Sequence, residues 1–445
     1  MPLRDLVIDI EPLRASPDFR AVFIARVVSL FGLGMATVAL AAQTWDMTRS
    51  SLQIAVVSMI MSISVLVGSL WGGVMADRGN RRTLIIRARG AAALGFAGLA
   101  VNAFLTDPSL WAIYACVAWD GLASGVSFTA LMAAAPTLVR EDQLPAAGAL
   151  ISLTGEIGSI AAPFLGGILL AAWGPAPVYT VTAVTTALTS LLLTRLRPLP
   201  PSTDPDDGDS DGDEGAENGP KRSRSPLAAF TFAFRDRVVG GLVLLGGVTA
   251  LFNVPVVLFP EMVDRHFGGG KVMLGLLYTA PAVGAVLVSA TSGWLGRTAR
   301  PGRLLLVAAF AGGLATLGFG LSQDPVVAFV LLAVGGGAGT MYEILEYALV
   351  QHHTPEHMRG RIFSVITAQG TTGDIVGDVE VAAVARWFSP AGAAIVNGAI
   401  CAVAAVAVAV AVPGLRRATL PPPQEEDGPD GEAVPADAAP VAPRA

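Results

Sequence analysis

Apolar runs long enough to cross a lipid bilayer recur along the whole of this sequence. A transmembrane helix needs about 20 consecutive, mostly apolar residues. With 14% charged residues and a mean hydropathy of +0.60, the chain has too few charges to coat a soluble protein of its size. The sequence therefore predicts an all-α membrane protein with twelve transmembrane helices. The predicted spans are 19–43, 52–75, 83–104, 109–131, 145–172, 176–196, 238–260, 272–296, 303–322, 325–350, 361–387 and 390–412.

The spans fall into two sets of six that are separated by an acidic segment. This segment, 199–226, is rich in aspartate and glutamate, so it cannot bury enough apolar surface to fold. The segment after Pro413 has a similar composition. We therefore predict an N-terminal six-helix half (1–198), a disordered linker (199–226), a C-terminal six-helix half (227–412) and a disordered tail (413–445).

Basic residues are concentrated in alternate loops. The termini, the linker and the loops after the second, fourth, eighth and tenth spans are rich in arginine, whereas the opposite side keeps only Arg49, Arg265, Lys271 and Arg386. Because cytoplasmic loops carry an excess of arginine and lysine, this asymmetry predicts a multi-pass protein of the cell membrane with the termini, linker and tail cytoplasmic.

The two sets of spans also resemble one another. The segment Gly73–Leu84 is loosely repeated as Gly293–Leu304 at the same place in the second set. Two parallel halves with a site at their interface are typical of secondary transporters. The sequence lacks a phosphate-binding loop, a nucleophile-plus-base constellation and any metal-ligand spacing, and both cysteines lie in apolar runs. We therefore predict a transporter without a cofactor or metal, and not an enzyme.

The loop between the second and third spans carries Gly73, Asp77, Arg78, Arg81 and Arg82. These residues resemble the signature of the major facilitator superfamily, with Asn80 at a position where glycine is usual. Asparagine tolerates left-handed backbone geometry, and Asp77 could occupy a favourable helix N-terminus. The resemblance implies a gate clamp that brings Asp77 near Arg359 or Arg361. The alternative is that the arginines only reflect the cytoplasmic location of this loop and have no role in gating.

The fifth span contains Gly158, Pro163, Gly166 and Gly167. This pattern resembles an element of the drug/proton antiporters of the same superfamily, with Ala162 in place of one glycine. Small residues permit close helix packing, and proline bends a helix. The resemblance favours export, while a packing seam without meaning for direction is the alternative.

Ionisable side chains within the spans are costly and usually functional. Glu343 and Glu346 share one helix face, and so do Asp374 and Asp378. We predict that these carboxyl groups line a cavity or carry protons, with internal ion pairs or polar contacts between helices as alternatives. Arg26 is a candidate anion ligand or counter-charge, unless it reaches to the membrane surface. The candidate substrate and proton residues are Arg26, Asp120, Glu156, Glu343, Glu346, Asp374 and Asp378.

Several longer stretches are similar to the enterobactin exporter family, a branch of the major facilitators that expels catecholate siderophores. The resemblance extends over Pro17 to Val412 and is carried by Pro17–Arg26, Asp107–Tyr114, Trp119–Gly121, Ala134–Val139, Ala299–Gly302 and Thr372–Ile375. It implies a proton-coupled antiporter that exports a siderophore or a similar small amphiphilic metabolite by alternating access. The expected partners are this substrate, protons and the lipid bilayer, without nucleic acid, and the expected state is a monomer.

Three other functions are open at this point. A multidrug or antibiotic efflux pump could use the same scaffold. Uptake by symport would use it in the opposite direction. A membrane sensor or assembly partner would show no substrate-dependent proton flux in proteoliposomes.

Overall fold

The computed structural model describes residues 11–134, 143–194, 236–252 and 254–419. Within these residues the chain forms twelve long helices joined by short connections. In chain order, helices α1–α12 are Pro17–Thr48, Ser51–Arg78, Arg81–Phe104, Leu110–Ala134, Leu144–Trp173, Pro175–Leu193, Arg237–Leu251, Lys271–Thr291, Pro301–Leu321, Pro325–His353, Glu356–Phe388 and Pro390–Ala411.

The helices have the length and composition of membrane spans. Ten of the described helices, counting α7 with its continuation to His266, are long and apolar enough to cross a membrane. The long helices α4 and α11 complete two sets of six, and α11 is the more polar because it carries Asp374, Asp378 and Glu380. The all-α membrane fold predicted from the sequence is confirmed.

Polar caps and glycine determine where several spans begin or end. The backbone N–H of Phe19 donates to Ser16 Oγ at 3.1 Å, ahead of α1. Asp236 and Asp324 accept in the same way at the starts of α7 and α10. These side chains satisfy N–H groups that have no partner within the helix. Between α5 and α6 the single residue Gly174 has φ +78°, a conformation that suits glycine, and it allows the two spans to follow each other directly.

The two halves share one packing plan. In the first half α1 packs on α5, α2 on α4, and α3 on both α4 and α6. In the second half α7 packs on α11, α8 on α10, and α9 on both α10 and α12. The helix numbers of each packed pair in the second half are therefore six higher than those of the corresponding pair in the first half. This is the arrangement expected of two repeated halves.

Glycines bring corresponding helix pairs into close contact in both halves. A Cβ atom on Gly68 of α2 would lie 2.2 Å from the carbonyl oxygen of Leu122 on α4. In the other half, a Cβ on Gly284 of α8 would lie 1.7 Å from the carbonyl oxygen of Ala333 on α10. Small residues let the backbones approach closely, which is the main way in which helices associate in lipid.

Two segments differ from the sequence-based prediction. The seventh span, predicted as 238–260, breaks after Leu251 and resumes through short helical turns that end at His266. Pro255 lies in the break, where its missing N–H cannot continue a helix. The tail, predicted to be disordered from 413, begins with a short helix, Pro413–Arg417, whose Leu415 is buried. The predicted linker, 199–226, lies outside the described residues.

The halves are joined at the end of the bundle that carries the connection between α1 and α2, which we call the closed end. Here α5 packs on α8 and α2 packs on α11. A Cβ on Gly167 of α5 would lie 2.9 Å from Gly275 Cα of α8. Toward the opposite end, Cβ atoms on Gly148 and Gly155 of α5 and on Gly360 of α11 would meet no atom within 4 Å. We call this opposite end the open end.

Candidate transport site

A cavity of about 320 Å³ lies within the second half, between α7, α9, α10, α11 and α12. Three acidic side chains line it, Glu343 and Glu346 from α10 and Asp374 from α11. Gly339 and Gly370, which also line the cavity, have no atom within 4 Å of where a Cβ would lie. Helix packing and the absence of side chains at these glycines therefore create a space large enough for several water molecules beside three carboxyl groups.

Four carboxyl groups of the second half form a continuous series, which we call the acidic row. Glu346 interacts electrostatically with Glu343, Glu343 with Asp374, and Asp374 with Asp378. Asp374 also lines a second cavity of about 200 Å³ that contains Asp378. No basic side chain in the described part of the chain forms an ion pair with any member of the row. The row therefore connects two cavities, and none of its members is paired with a basic side chain among the described residues.

Neutral hydrogen-bonding groups flank both ends of the acidic row. The hydroxyl of Tyr342 donates to Glu346 Oε1 at 3.1 Å, and Glu346 is buried. At the other end, Asp378 is within hydrogen-bonding reach of Ser58 on α2. This contact crosses from one half to the other. The member of the row nearest the closed end therefore contacts a helix of the other half.

The other two candidate carboxylates lie apart from the row. Asp120 is buried in the first half, where Ser124 Oγ donates to it at 3.4 Å, and Gly95 of α3 gives room for its Cβ. It therefore lies between α3 and α4. Glu156 of α5 is half-buried, and the neighbouring Gly155 faces open space. Asp120 and Glu156 were grouped with the row on the sequence alone, because they too are carboxyl groups in apolar segments.

Arg26 lies on α1 close to a second arginine, Arg89 of α3. The guanidinium of Arg89 donates to Ser29 Oγ, one turn further along α1 from Arg26. Arg26 is half-buried, so it does not extend fully to solvent. The first half thus places two basic side chains together, while the second half places four acidic ones together.

The structure gives a different account of the loop predicted to act as a gate. Asp77 lies in the last turn of α2, not at a helix N-terminus. Asn80 has an extended backbone (φ −68°, ψ 109°) and is the N-cap of α3, where its side chain accepts from the N–H groups of Arg82 and Thr83. Asp77 therefore does not occupy the helix N-terminus considered from the sequence, and Asn80 does not use the left-handed geometry that asparagine tolerates.

The remaining residues of this loop hold the ends of α2, α3 and α6 together. Arg81 is buried and its Nε donates to the carbonyl oxygen of Ala76 at 3.5 Å, while Arg82 donates to the carbonyl oxygen of Thr194. Gly73 has only Thr129 near its Cβ position, at 3.9 Å. The side chains of Asp77 and Arg78 lie outside the described residues, so the clamp with Arg359 or Arg361 stays a prediction.

The small residues of the fifth span contact two different neighbours. A Cβ on Gly158 would lie 3.2 Å from Leu30, and one on Gly166 would lie 2.8 Å from Met35 Cα, both on α1. Gly167 instead approaches Gly275 of the other half. Pro163 lies inside α5 beside this contact, and Thr279 of α8 donates to the carbonyl oxygen of Ile160 at 3.1 Å. The element therefore forms part of the seam between the halves.

A network of charged residues at the closed end was not predicted from the sequence. Ion pairs join the halves, from Lys271 to Asp46 at 2.6 Å and from Arg49 to Asp264 at 2.7 Å. We call this network the closed-end cluster, and its members are Trp45, Asp46, Arg49, Ser51, Glu261, Asp264, Arg265 and Lys271.

Glu261 is the most buried charged member of the closed-end cluster. Its carboxylate accepts from Ser51 Oγ of the first half and from Arg265 Nη1 at 2.6 Å. The guanidinium groups of Arg49 and Arg265 lie 6.0 and 5.1 Å from the ring centroid of Trp45, within reach of cation–π attraction. One signal was available in the sequence, because Arg49, Arg265 and Lys271 are three of only four basic residues assigned to that side.

Comparison with known proteins agrees with this architecture. A model of the Major Facilitator Superfamily matches residues 22–378. A protein of Citrobacter koseri described as enterobactin exporter EntS is 36% identical over 424 residues, which cover 95% of this chain and 98% of the relative. An Escherichia coli protein of the same description is 36% identical over 418 residues, which cover 94% and 97% of the two chains.

Solved structures show the same fold at low sequence identity. The nucleoside transporter NupG has a TM-score of 0.70 and 13% identity, covering 91% of this chain and 100% of its own. A POT family transporter in complex with 5-aminolevulinic acid has a TM-score of 0.69 and 11% identity, covering 90% and 97%. A bacterial homologue of the human lysosomal transporter Spinster, solved inward-facing and unoccupied, has a TM-score of 0.64 and 14% identity, covering 90% and 96%.

The chain therefore belongs to the major facilitator superfamily, a class of multi-pass membrane transporters and not of enzymes. Within that class it belongs to the family of the enterobactin exporters, which it matches over nearly its whole length.

Proposed function

We propose that this protein exports a siderophore of the enterobactin type, or a similar small amphiphilic metabolite, from the cell by proton antiport. The observation that carries the proposal is the match over nearly the whole chain to proteins described as enterobactin exporters. The protein would act as a monomer in the cell membrane and alternate between conformations open to either side.

The distribution of charge supports the orientation of this transporter. The described arginine-rich loops, which follow α2, α8 and α10, lie at the open end, whereas the closed-end cluster contains three of the four basic residues assigned to the other side. Basic residues favour the cytoplasmic side of a membrane. The termini would therefore be cytoplasmic, and the structure would represent a state that is closed to the outside and accessible from the cytoplasm.

The acidic row supports coupling to protons. Carboxyl groups within a membrane are costly and usually mark ion or proton pathways. Protonation would relieve the mutual repulsion of Glu343, Glu346 and Asp374, which have no counter-cation in the described part of the chain. Asp378 reaches Ser58 across the seam between the halves, so its protonation would be sensitive to opening of the closed end.

Transport of enterobactin into inside-out proteoliposomes under an imposed pH gradient tests the proposal. We expect gradient-driven transport by the wild-type protein, and at least a tenfold loss in Glu346→Gln and Asp374→Asn. Exchange of enterobactin without a gradient should be affected much less, because substrate exchange needs no net proton movement. The matched control is Glu380→Gln on α11, because Glu380 accepts from Asn397 at 3.4 Å and lies outside the row.

Two results would contradict the proposal. If enterobactin is not transported by the wild-type protein while unrelated drugs are, the substrate class is wrong and the multidrug alternative is favoured. If Glu346→Gln and Asp374→Asn respond to the pH gradient as Glu380→Gln does, the acidic row does not couple protons.

A further inference from the structure

The two arginines of the first half, Arg26 and Arg89, converge from two different helices. On α1, Arg26 lies 7 and 11 residues before Leu33 and Thr37, which are both exposed, so the three share one helix face. On α3, the exposed residues Arg87, Leu94 and Val101 repeat every seven residues. Arg89 follows Arg87 by two residues, a rotation of about 200°. It therefore points away from that exposed stripe and toward α1.

Neither arginine has a counter-charge within the described part of the chain. The Nε atoms of Arg26 and Arg89 are both buried without a hydrogen-bond partner. Arg89 has Ser29 as a neutral acceptor, and its charge is repelled by that of Arg26. No carboxylate among the described residues forms an ion pair with either guanidinium. Glu156, on the helix α5 that packs on α1, forms an ion pair with neither of them.

This arrangement is unfavourable unless an anion completes it. Arg89 lies about 12 Å along α3 from the start of that helix at Arg81, and its side chain is partly buried, with the Nε atom shielded from solvent. A buried charge is normally paired or hydrogen-bonded, and two like charges placed together increase the cost. An anion between the two guanidinium groups would satisfy the unpartnered Nε donors and remove the repulsion.

We propose that Arg26 and Arg89 form a subsite that binds a deprotonated oxygen pair, a catecholate or a carboxylate, on the transported molecule. The planar guanidinium fork matches two adjacent oxygens better than a single point charge would. The acidic row of the other half would repel the same group. The anionic end of the substrate would therefore face the first half. This assignment rests on the proposed function for the identity of the cargo, but its test does not require transport.

The test is stabilisation of the purified full-length protein against thermal unfolding by a small anionic probe. A ligand that binds only the folded state raises the unfolding temperature, and the rise grows with the logarithm of the ligand concentration divided by Kd. The probe is 2,3-dihydroxybenzoate, with 2,3-dimethoxybenzamide as its uncharged counterpart. We expect Arg26→Gln and Arg89→Gln each to weaken the apparent affinity for the anionic probe at least tenfold. Arg87→Gln, which removes the same charge from the exposed face of α3, should leave that affinity unchanged.

Two further measurements separate binding from a structural role. Without the probe, Arg89→Gln should be at least as stable as the wild-type protein, because it removes a repelling charge. Arg89→Lys, which keeps the charge but loses the fork, should bind the probe with an affinity between those of the wild type and Arg89→Gln.

Three outcomes would overturn the subsite. The first is equal stabilisation of the wild type, Arg26→Gln and Arg89→Gln by the anionic probe. The second is equal stabilisation of the wild type by the charged and uncharged probes. The third is a difference between variants that occurs only with vesicles of phosphatidylglycerol, which would assign the arginines to lipid. If the proteoliposomes fail to transport enterobactin but the probe results hold, the proposed function fails and the anion subsite stands.

Discussion

Replacing Gly275 by alanine should force the closed end apart. The added Cβ would lie 2.7 Å from the carbonyl oxygen of Pro163 and 2.9 Å from Gly167 Cα, and both atoms belong to the backbone of α5. Because ordinary carbon contacts need about 3.5 Å, α5 and α8 would have to separate by about 0.7 Å. A helix cannot move aside as a flexible side chain can, so the strain falls on the seam between the halves.

The size of the effect follows from the cost of overpacking. Adding a methyl group to a well-packed contact costs about 1–3 kcal/mol. Here that cost applies only to the conformation in which α5 and α8 meet at Gly275. If the alternative conformation separates them, its population relative to the closed one should rise by roughly 5- to 150-fold. A protein that is mostly closed in this way would become a mixture of the two states.

Pulsed electron–electron double resonance between two spin labels can measure this shift in population. Spin labels at Trp173 and Val272, the exposed ends of α5 and α8, report the separation across the closed end. Cys116 and Cys401 would first be replaced by alanine. We expect Gly275→Ala to move the distance distribution to longer values. The control is Gly155→Ala, because a Cβ there meets no atom within 4 Å. Identical distributions in the two variants would refute the argument.

Three further predictions concern other parts of the structure. Glu261→Gln should weaken the buried contact with Arg265. We expect hydrogen exchange at the closed end to rise by about fivefold, and an unchanged exchange rate would contradict this prediction. Asn80→Ala should lower stability by about 1 kcal/mol through loss of the N-cap of α3, whereas Asn80→Gly should cost only a few tenths, which denaturant unfolding can compare. Gly336→Ala should sharply lower the unfolding temperature, because the added Cβ would lie 2.1 Å from a backbone oxygen of α8. Gly339→Ala should leave the unfolding temperature unchanged, because its Cβ would point into the cavity.

The local properties of segments explain which expectations succeeded. Whether a run of 20 residues is stable in lipid depends on its own composition, so the helical class and the membrane location followed from the sequence. The pairing of Glu343 with Glu346 on one helix face also follows from spacing within a single helix. The end of α2 was harder to predict. Polar residues such as Asp77 fit either the last turn of one helix or the first turn of the next.

The contacts between distant segments could not be read from the sequence in this way. Asp46 and Lys271 are 225 residues apart, and Arg49 and Asp264 are 215 apart, yet each pair is in direct contact. The sequence assigned these residues to one side of the membrane but did not indicate that they would pair. It likewise gave no reason to separate Asp120 from the acidic row, because both are carboxyl groups in apolar segments.

The sequence by itself determined that the chain is a bundle of membrane helices in two related sets, because insertion of each segment into lipid depends on that segment alone. Only the tertiary structure decided which polar side chains meet. Each residue turns the helix surface by about 100°, so the neighbours of Arg89 or Asp374 depend on how each helix is rotated and which helices pack beside it. Those choices are made by close packing between segments far apart in the chain, and they place the basic pair in one half and the acidic row in the other.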